Sequence, residues 1–411
     1  MIHTFELSKT ITAKNFYELN NSLSGIQRIN KYNSSFHVTY MYKEKGLSRI
    51  TLLKTKRERI APDYPNSIYY YNISLIINPL QMFGGDKNFS SCTYDFSSCL
   101  AYKILSQIYD ILPSLEIFPN LRNVNDIDSQ KKWYNANTFT VKRIDFAFDI
   151  KNNCDVYLDI IKRGYYIPKL ESATYSNDNT QNNKDDKFEY DSDEIIPPTP
   201  KYLYYKCKSY NLNIYNKAYA MRNKKTLPKD YEKYDFLRFE CQVKRRKLYY
   251  IKEKLGLNGL DILDLATPEV EHYFLSSSLN ARLGTGIHLT LESARNIIDE
   301  CPNFKPSKRK RLKDFIYFIN IHGGIEKSLD LVKQGKTTTY TESTFNTYLK
   351  DIKSLGISPI TIPKSRIILD SNNNPVMDKK IGTYLVNLST IYEAYYTAIQ
   401  QELSANYNNL I

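Results

Sequence analysis

Acidic, basic and phenolic side chains recur at alternate positions in three short apolar stretches. Residues 141–150 read VKRIDFAFDI, so Ile144, Phe146, Phe148 and Ile150 fall on one face of a strand and Arg143, Asp145, Ala147 and Asp149 on the other. Aspartate is depleted in strands, and a half-buried strand needs none on its second face. Residues 237–243 (LRFECQV) repeat the design, with Leu237, Phe239, Cys241 and Val243 opposite Arg238, Glu240 and Gln242. Residues 212–217 (LNIYNK) set Leu212 and Ile214 against Asn213, Tyr215 and Lys217. If the three strands are neighbours in one antiparallel sheet, cross-strand positions lie ~5 Å apart. Asp145 and Glu240 can then hold one hard cation beside Tyr215, and carboxylate ligands favour Mg²⁺ or Mn²⁺ over Zn²⁺. Asp149 lies ~13 Å along the strand from Asp145, at ~3.3 Å per residue, beyond direct reach of that ion.

The elements that must position these residues read as α+β. Residues 4–7 form a short strand, 35–42 and 48–55 a hairpin around KEKGL, and 68–77 (IYYYNISLII) a long strand ended by Asn78-Pro79. After a loop with Gly84-Gly85-Asp86, residues 94–112 carry Leu100, Ile104, Leu105, Ile108, Ile111 and Leu112 at helical spacing, and Pro113 stops them. A helix over 155–162 follows the 141–150 strand. The polar, acidic run 176–200 reads as a mobile insertion. Residues 201–207 and 211–216 form a second hairpin, 217–223 opens a helix, and 244–255 is a basic helix capped by Gly256.

From Thr290 onward short helices take over: 308–321, 325–333 and 341–355, the last with Thr341 as N-cap. Two short helices and a polar third suggest a helix-turn-helix with 360–369 as a wing; an ordinary helical bundle is the alternative. The expected organisation is an antiparallel-sheet domain over 1–275 and a mostly helical domain over 276–411.

The chain has 411 residues, with 42% hydrophobic and 25% charged content, as a globular protein has. A formal net charge of +13 points to a polyanionic partner. Lys244, Arg245 and Arg246, and Lys308, Arg309, Lys310 and Arg311, are the candidate nucleic-acid contacts; a solvated charge run is the alternative for the second group. Arg143 and Arg238 either contact a DNA backbone or pair with the neighbouring carboxylates, with pairing favoured for at least one. Thirty-six tyrosines, with abundant Asn, Lys and Ile, have the look of an AT-rich genome, which weakens any reading of a single Tyr or Lys. Six cysteines show no CxxC spacing, and no signal-peptide or ~18-residue apolar run occurs, so a reduced cytoplasmic setting without membrane contact is expected. No Walker A loop or dinucleotide fingerprint is present, and the five histidines form no ligand pattern.

In order along the chain, these blocks resemble the replication initiators of filamentous phages, the gene II/X protein family. Residues 78–89 (NPLQMFGGDKNF) resemble its Pro…Gly-His-Asn-x-Phe loop, 141–148 its S-R-I-D-x-x-F strand, and 213–217 (NIYNK) its Tyr-x-Lys block. Residues 237–243 with 249–257 resemble its R-F-E strand and following helix, and 312–355 its C-terminal region in outline. The resemblance covers roughly residues 70–360, in patches. It departs where the family's loop histidine matches Asp86, which could replace that residue as a metal ligand. Initiators of certain plasmids and conjugative elements share the same order of blocks.

The resemblance implies an HUH-endonuclease-like sheet domain that nicks and rejoins one strand at an origin, starting rolling-circle replication in a bacterial host. Tyr215 would be the nucleophile, leaving a 3′-OH and a 5′-phosphotyrosine, with Lys217 assisting and Mg²⁺ or Mn²⁺ held by Asp145, Glu240 and Asp86. Tyr219, four residues on, is a second candidate nucleophile. Origin DNA, a host helicase and a DNA polymerase would be partners. A free tyrosine ionises near pH ~10, so only ~0.1% is phenolate at pH 7, a deficit of ~4 kcal/mol that the site must offset. A non-catalytic DNA-binding regulator remains the other class, sharing the charge without needing Asp145, Tyr215 and Glu240 to converge. A tyrosine recombinase would need a His-x-x-Arg that the sequence lacks.

Overall fold

Alternating aliphatic strands and periodic helices assemble as an α+β fold with a large antiparallel sheet. A computed structural model describes residues 2–23, 27–32, 35–40, 46–57, 68–83, 98–167, 171–172, 190–191, 194–195, 201–223 and 235–408. Most of the acidic insertion 176–200 and all of 84–97, including Asp86, lie outside these residues. The chain divides into two compact units: Met1–Ala147, Lys208–Tyr210 and Cys241–Glu271 form the first, and Phe148–Cys207, Asn211–Glu240 and His272–Ile411 the second. The helical region beyond 276, expected as its own domain, thus clusters with two segments from the middle of the chain. Among the described residues, no helix is long and apolar enough to cross a membrane.

The first unit opens with β1 (Ile2–Ile11), α1 (Ala13–Ser22), β2 (Gln27–Tyr32), β3 (Ser35–Tyr40), β4 (Leu47–Arg57) and β5 (Ile68–Ile77). Next come α2 (Pro79–Met82), α3 (Ser98–Ile111), α4 (Ile127–Asn137) and β6 (Thr140–Lys151), whose last four residues belong to the second unit. Strand order here is β2-β3-β4-β5-β1-β6, with β1 antiparallel to both β5 and β6. The N-terminal strand is longer than the 4–7 expected because Ile2, Phe5 and Leu7 are fully buried, and Phe5 sits opposite both Ile77 and Ile144. Ile104, Leu105 and Ile108 on α3 are equally buried, as their spacing predicts. Trp133 and Tyr134 anchor α4, a helix that the sequence reading leaves unassigned.

The second unit continues through α5 (Cys154–Lys162), the short strands β7 (Glu171–Ser172), β8 (Tyr190–Asp191) and β9 (Glu194–Ile195), then β10 (Tyr202–Lys206), β11 (Tyr210–Asn216), α6 (Lys217–Asn223) and β12 (Phe236–Lys244). Its strands run β6-β12-β11-β10-β7, so the three chemically loaded stretches are neighbours, as expected. β10 and β11 pair as the expected hairpin, with Tyr202 opposite Tyr215. The last four residues of β12 return to the first unit, leading into α7 (Arg245–Leu255), which ends at Gly256 with φ 65°, and α8 (Ile262–Leu265).

The remaining elements are α9 (Pro268–Leu283), β13 (His288–Leu289), α10 (Leu291–Glu300), α11 (Pro306–Ile321), α12 (Ile325–Lys333), α13 (Glu342–Ser354), β14 (Met377–Asp378), β15 (Gly382–Leu385) and α14 (Leu388–Asn408). The Thr341 side chain caps α13 as read from sequence. Phe315 of α11 packs edge-on against Phe345 and Tyr348 of α13 at 4.9 and 5.4 Å. The α12–α13 connection, 334–341, exceeds the ~3–4-residue turn of a helix-turn-helix. Residues 360–369 form no regular wing strand: Ile360 and Ile362 are buried, Ile362 makes an isolated parallel bridge to Thr290, and antiparallel pairing is confined to the end of the stretch, where Leu369 bridges Pro375. Pro359 before this stretch and Pro363 within it lack the backbone donors that a ladder would need.

One buried group gives the second unit a pH signature. His288 has no exposed surface, its Nδ1 lies 3.1 Å from the Ile360 carbonyl, and burial pushes its pKa down to about 4. The unfolded chain takes up this proton first, near pH 6.5, so stability falls as pH drops from there and levels off below about 4. The loss across that window is about 3 kcal/mol. Urea unfolding of wild type against His288→Gln at pH 7 and 4.5 checks it: the variant loses this part of the slope, and equal slopes would assign the acid sensitivity elsewhere.

Candidate functional site

On the second unit's sheet, Asp149 of β6 is the acceptor around which the basic groups collect. Arg238 of β12 donates to both its oxygens, Nε to Oδ1 and Nη2 to Oδ2, each at 2.6 Å. Lys217, the first residue of α6, places Nζ 3.0 Å from Oδ2. The three side chains are nearly out of water, at 7%, 6% and 13% exposure respectively. Burial alone would push the Asp149 carboxyl up; Arg238 and Lys217 outweigh it and hold it below the usual carboxylate range. The Asp149 carboxylate in turn raises the Arg238 pKa against its own desolvation.

Tyr215 of β11 belongs to this cluster. Its phenol is pushed well above the ordinary value, first by burial, then by the Glu240 and Asp149 carboxylates, while a hydrogen bond with Arg238 opposes them. Its ring lies 5.8 Å from that of Tyr202, tilted 33°. Asn213 Nδ2 donates to Glu240 Oε2 at 3.0 Å, and the Tyr202 hydroxyl in turn donates to Asn213 Oδ1. Asn213 and Tyr202 therefore orient Glu240. Alternation alone puts Asn213 on this face; Tyr202 becomes visible only once the hairpin register is known. Tyr219 stands apart, 39% exposed, with Lys201 5.0 Å above its ring and its backbone N–H capped by Asn216.

Asp145 is held by a different set of residues, all in the first unit. Thr4 Oγ1 donates to its Oδ2, Gln242 Nε2 reaches the same oxygen at 3.5 Å, and Arg143 Nε lies 3.2 Å from Oδ1. Arg143 also faces Glu6 at 3.7 Å. Burial pushes the Asp145 carboxyl up, against the pull of Arg143, Thr4 and Gln242. The reason lies in register. On β12 the partner of Asp145 is Gln242, and the partner of Asp149 is Arg238. The expected cross-strand pair of Asp145 with Glu240 is replaced by these two contacts. Both arginines weighed as backbone contacts, Arg143 and Arg238, pair with carboxylates.

A Mg²⁺ or Mn²⁺ ion takes several oxygen ligands. Among the described residues no three His, Cys, Asp or Glu side chains gather in a metal-binding group. Asp149 is neutralised by two cations, and Glu240 accepts from Asn213 within electrostatic reach of Tyr215. These residues alone do not make a hard-cation site. Asp86, the remaining candidate ligand, lies outside the described residues.

The candidate nucleic-acid contacts fall into tethered and projecting groups. Arg245 lies over the Tyr249 ring at 5.5 Å and Lys247 over Tyr250 at 4.2 Å, with both tyrosines about half exposed; Arg246 is exposed and Lys244 partly so. At the start of α11, Lys308 pairs with Asp351 at 2.9 Å and Arg309 donates to the Phe304 and Asp299 carbonyls, so both brace the helices. Lys310 and Arg311 project into solvent. Compared with known proteins, the sequence matches no protein-family model and no curated protein.

Proposed function

We propose that this chain nicks and rejoins one strand of DNA through Tyr215, as a rolling-circle replication initiator of phage or plasmid type. The observation that carries the reading is the gathering of Tyr215, Glu240, Arg238 and Asp149 on neighbouring strands with Lys217 at the adjoining helix start, the phenol hydrogen-bonded to Arg238 and within electrostatic reach of Glu240. Tyr215 Oη attacks the scissile phosphorus and the P–O3′ bond breaks. The product is a 5′-phosphotyrosine, and the 3′-oxygen leaves as a hydroxyl once it gains a proton. Glu240 accepts the phenol's proton, and the Arg238 guanidinium stabilises the phenolate as it forms. Rejoining reverses these steps without ATP, because the covalent bond conserves the phosphodiester's energy. Mg²⁺ or Mn²⁺ belongs to the reading by resemblance, and no step is assigned to it.

Incubating the protein with a supercoiled circle that carries its own gene and flanking DNA, in Mg²⁺, tests this. Relaxed circles with a DNA-linked protein band are expected, falling at least a hundredfold in rate in Glu240→Gln. EDTA reads the metal requirement. Tight binding without nicking in any divalent metal would overturn the enzyme reading. One observation favours a second reading, a non-catalytic DNA-binding regulator: Lys217 and Arg238 are both engaged by Asp149, an arrangement that also serves purely as a buried staple.

A further inference from the structure

The sheet face that builds the first unit's core changes character before the sheet ends. Along β4 and β5, Ile50 opposes Leu75 and Leu52 opposes Ile73, all four without exposed surface. The next two rows on the same face are Lys54 opposite Tyr71 and Lys56 opposite Tyr69. Phe16 of α1 closes the core edge against Tyr71, with ring centroids 5.1 Å apart. Beyond that edge Tyr17 is 47% exposed and Tyr69 46%. Lys54 Nζ stands 2.8 Å from the Tyr17 hydroxyl and over three rings, at 4.5 Å from Tyr69, 5.5 Å from Tyr17 and 5.6 Å from Tyr71.

Aliphatic pairs would have continued the core at these rows. Lysine and tyrosine instead leave the Tyr17 and Tyr69 rings about half exposed, with the Lys54 ammonium held among them. Single-stranded nucleic acid matches both: unpaired bases stack on aromatic rings, and phosphates take the lysines. In a duplex the base faces are already stacked on one another, and only the phosphates would find a partner here. Tyr69 and Tyr71 are about 6.6 Å apart along the strand, roughly twice the ~3.4 Å step of a stacked strand, which suits an extended chain. The net charge of +13 favours the same polyanion.

We infer that Tyr17, Tyr69 and Tyr71, with Lys54 and Lys56, form a platform that binds single-stranded nucleic acid by base stacking without regard to sequence. It goes beyond the nicking reading and requires no covalent step, so it stands or falls separately.

The test is fluorescence anisotropy of a labelled oligothymidylate, which carries no origin, with the full chain in EDTA. Tyr17→Ala/Tyr69→Ala is expected to weaken binding tenfold or more. Tyr17→Leu/Tyr69→Leu keeps apolar cover without ring faces and is expected to weaken it as much. Tyr17→Phe/Tyr69→Phe is expected to stay within about twofold, and binding to a duplex of equal length should not change in any variant. Unchanged oligothymidylate binding in both ring-deleting variants would overturn the inference. So would equal losses for single strand and duplex, or a loss confined to anionic lipid vesicles. Wild-type oligothymidylate binding together with an inactive Tyr215 would leave the platform standing and sink the nickase.

Discussion

Tyr215→Phe is expected to abolish the covalent DNA–protein adduct and lower nicking by at least about a thousandfold, since no second group replaces an excised nucleophile. Binding of the supercoiled circle should stay within about twofold of wild type, because the ring and its tilted contact with Tyr202 are retained. The structure sharpens the chemical demand on this residue. Burial, Glu240 and Asp149 all push the phenol's pKa up, so the resting hydroxyl is protonated more firmly than a free tyrosine. Arg238 opposes that, by its charge and through its hydrogen bond to the phenol. DNA binding would add a phosphate and remove water, so the nucleophile has to be activated within the complex. The expected signature is a nicking rate that rises with pH in the wild type and a Glu240→Gln variant that is slow yet still forms some adduct at high pH. If Tyr215→Phe retains the adduct, Tyr219, exposed on the next helix, is the residue to replace next. If neither substitution removes it, the cluster is no active site.

What the sequence disclosed follows from the range of the interactions involved. Period-two alternation marked β6, β11 and β12 and the faces they present, because each strand buries one row of side chains. Local chemistry also fixed helix ends: Thr341 caps α13 and Gly256 ends α7 in a left-handed turn, as their residue types dictate. Register was not legible. A shift of two residues along β12 decides whether Asp145 meets Glu240 or Gln242, and both options keep the same apolar row inside. The choice rests on pairings distant in sequence, such as Asn152 N–H with the Asp235 carbonyl. The grouping of segments was hidden for the same reason. Phe148 packs on Tyr392 and Tyr395 of α14, at 5.1 and 5.5 Å, a contact separated by most of the C-terminal half of the chain. Tyrosine-rich α14 carries helical periodicity, but a composition with 36 tyrosines mutes that signal.

Removing the Asp149 carboxylate is expected to be among the most destabilising single changes in the cluster. Asp149→Leu would take the counter-ion from the Arg238 guanidinium, which is 6% exposed, and such broken buried pairs cost about 3–5 kcal/mol. Arg238→Met should cost about as much, because it removes the bidentate partner of a carboxylate at 7% exposure and leaves Lys217 to meet it. The double variant Asp149→Leu/Arg238→Met is expected to be far more stable than the sum of the two losses predicts, and within about 2 kcal/mol of wild type. Lys217, at 13% exposure, can then carry its ammonium to water along its own stem. Urea midpoints of the four proteins at pH 7 measure this coupling, and additive losses would show that Asp149 and Arg238 do not act as a pair. The same four proteins separate the two functions open to the cluster. The Arg238→Met change would preserve the fold in the double variant while removing the donor to the Tyr215 hydroxyl. Nicking that disappears in this stable protein makes the Asp149–Arg238 pair part of the reaction; nicking that persists leaves the pair as a staple holding β6 to β12.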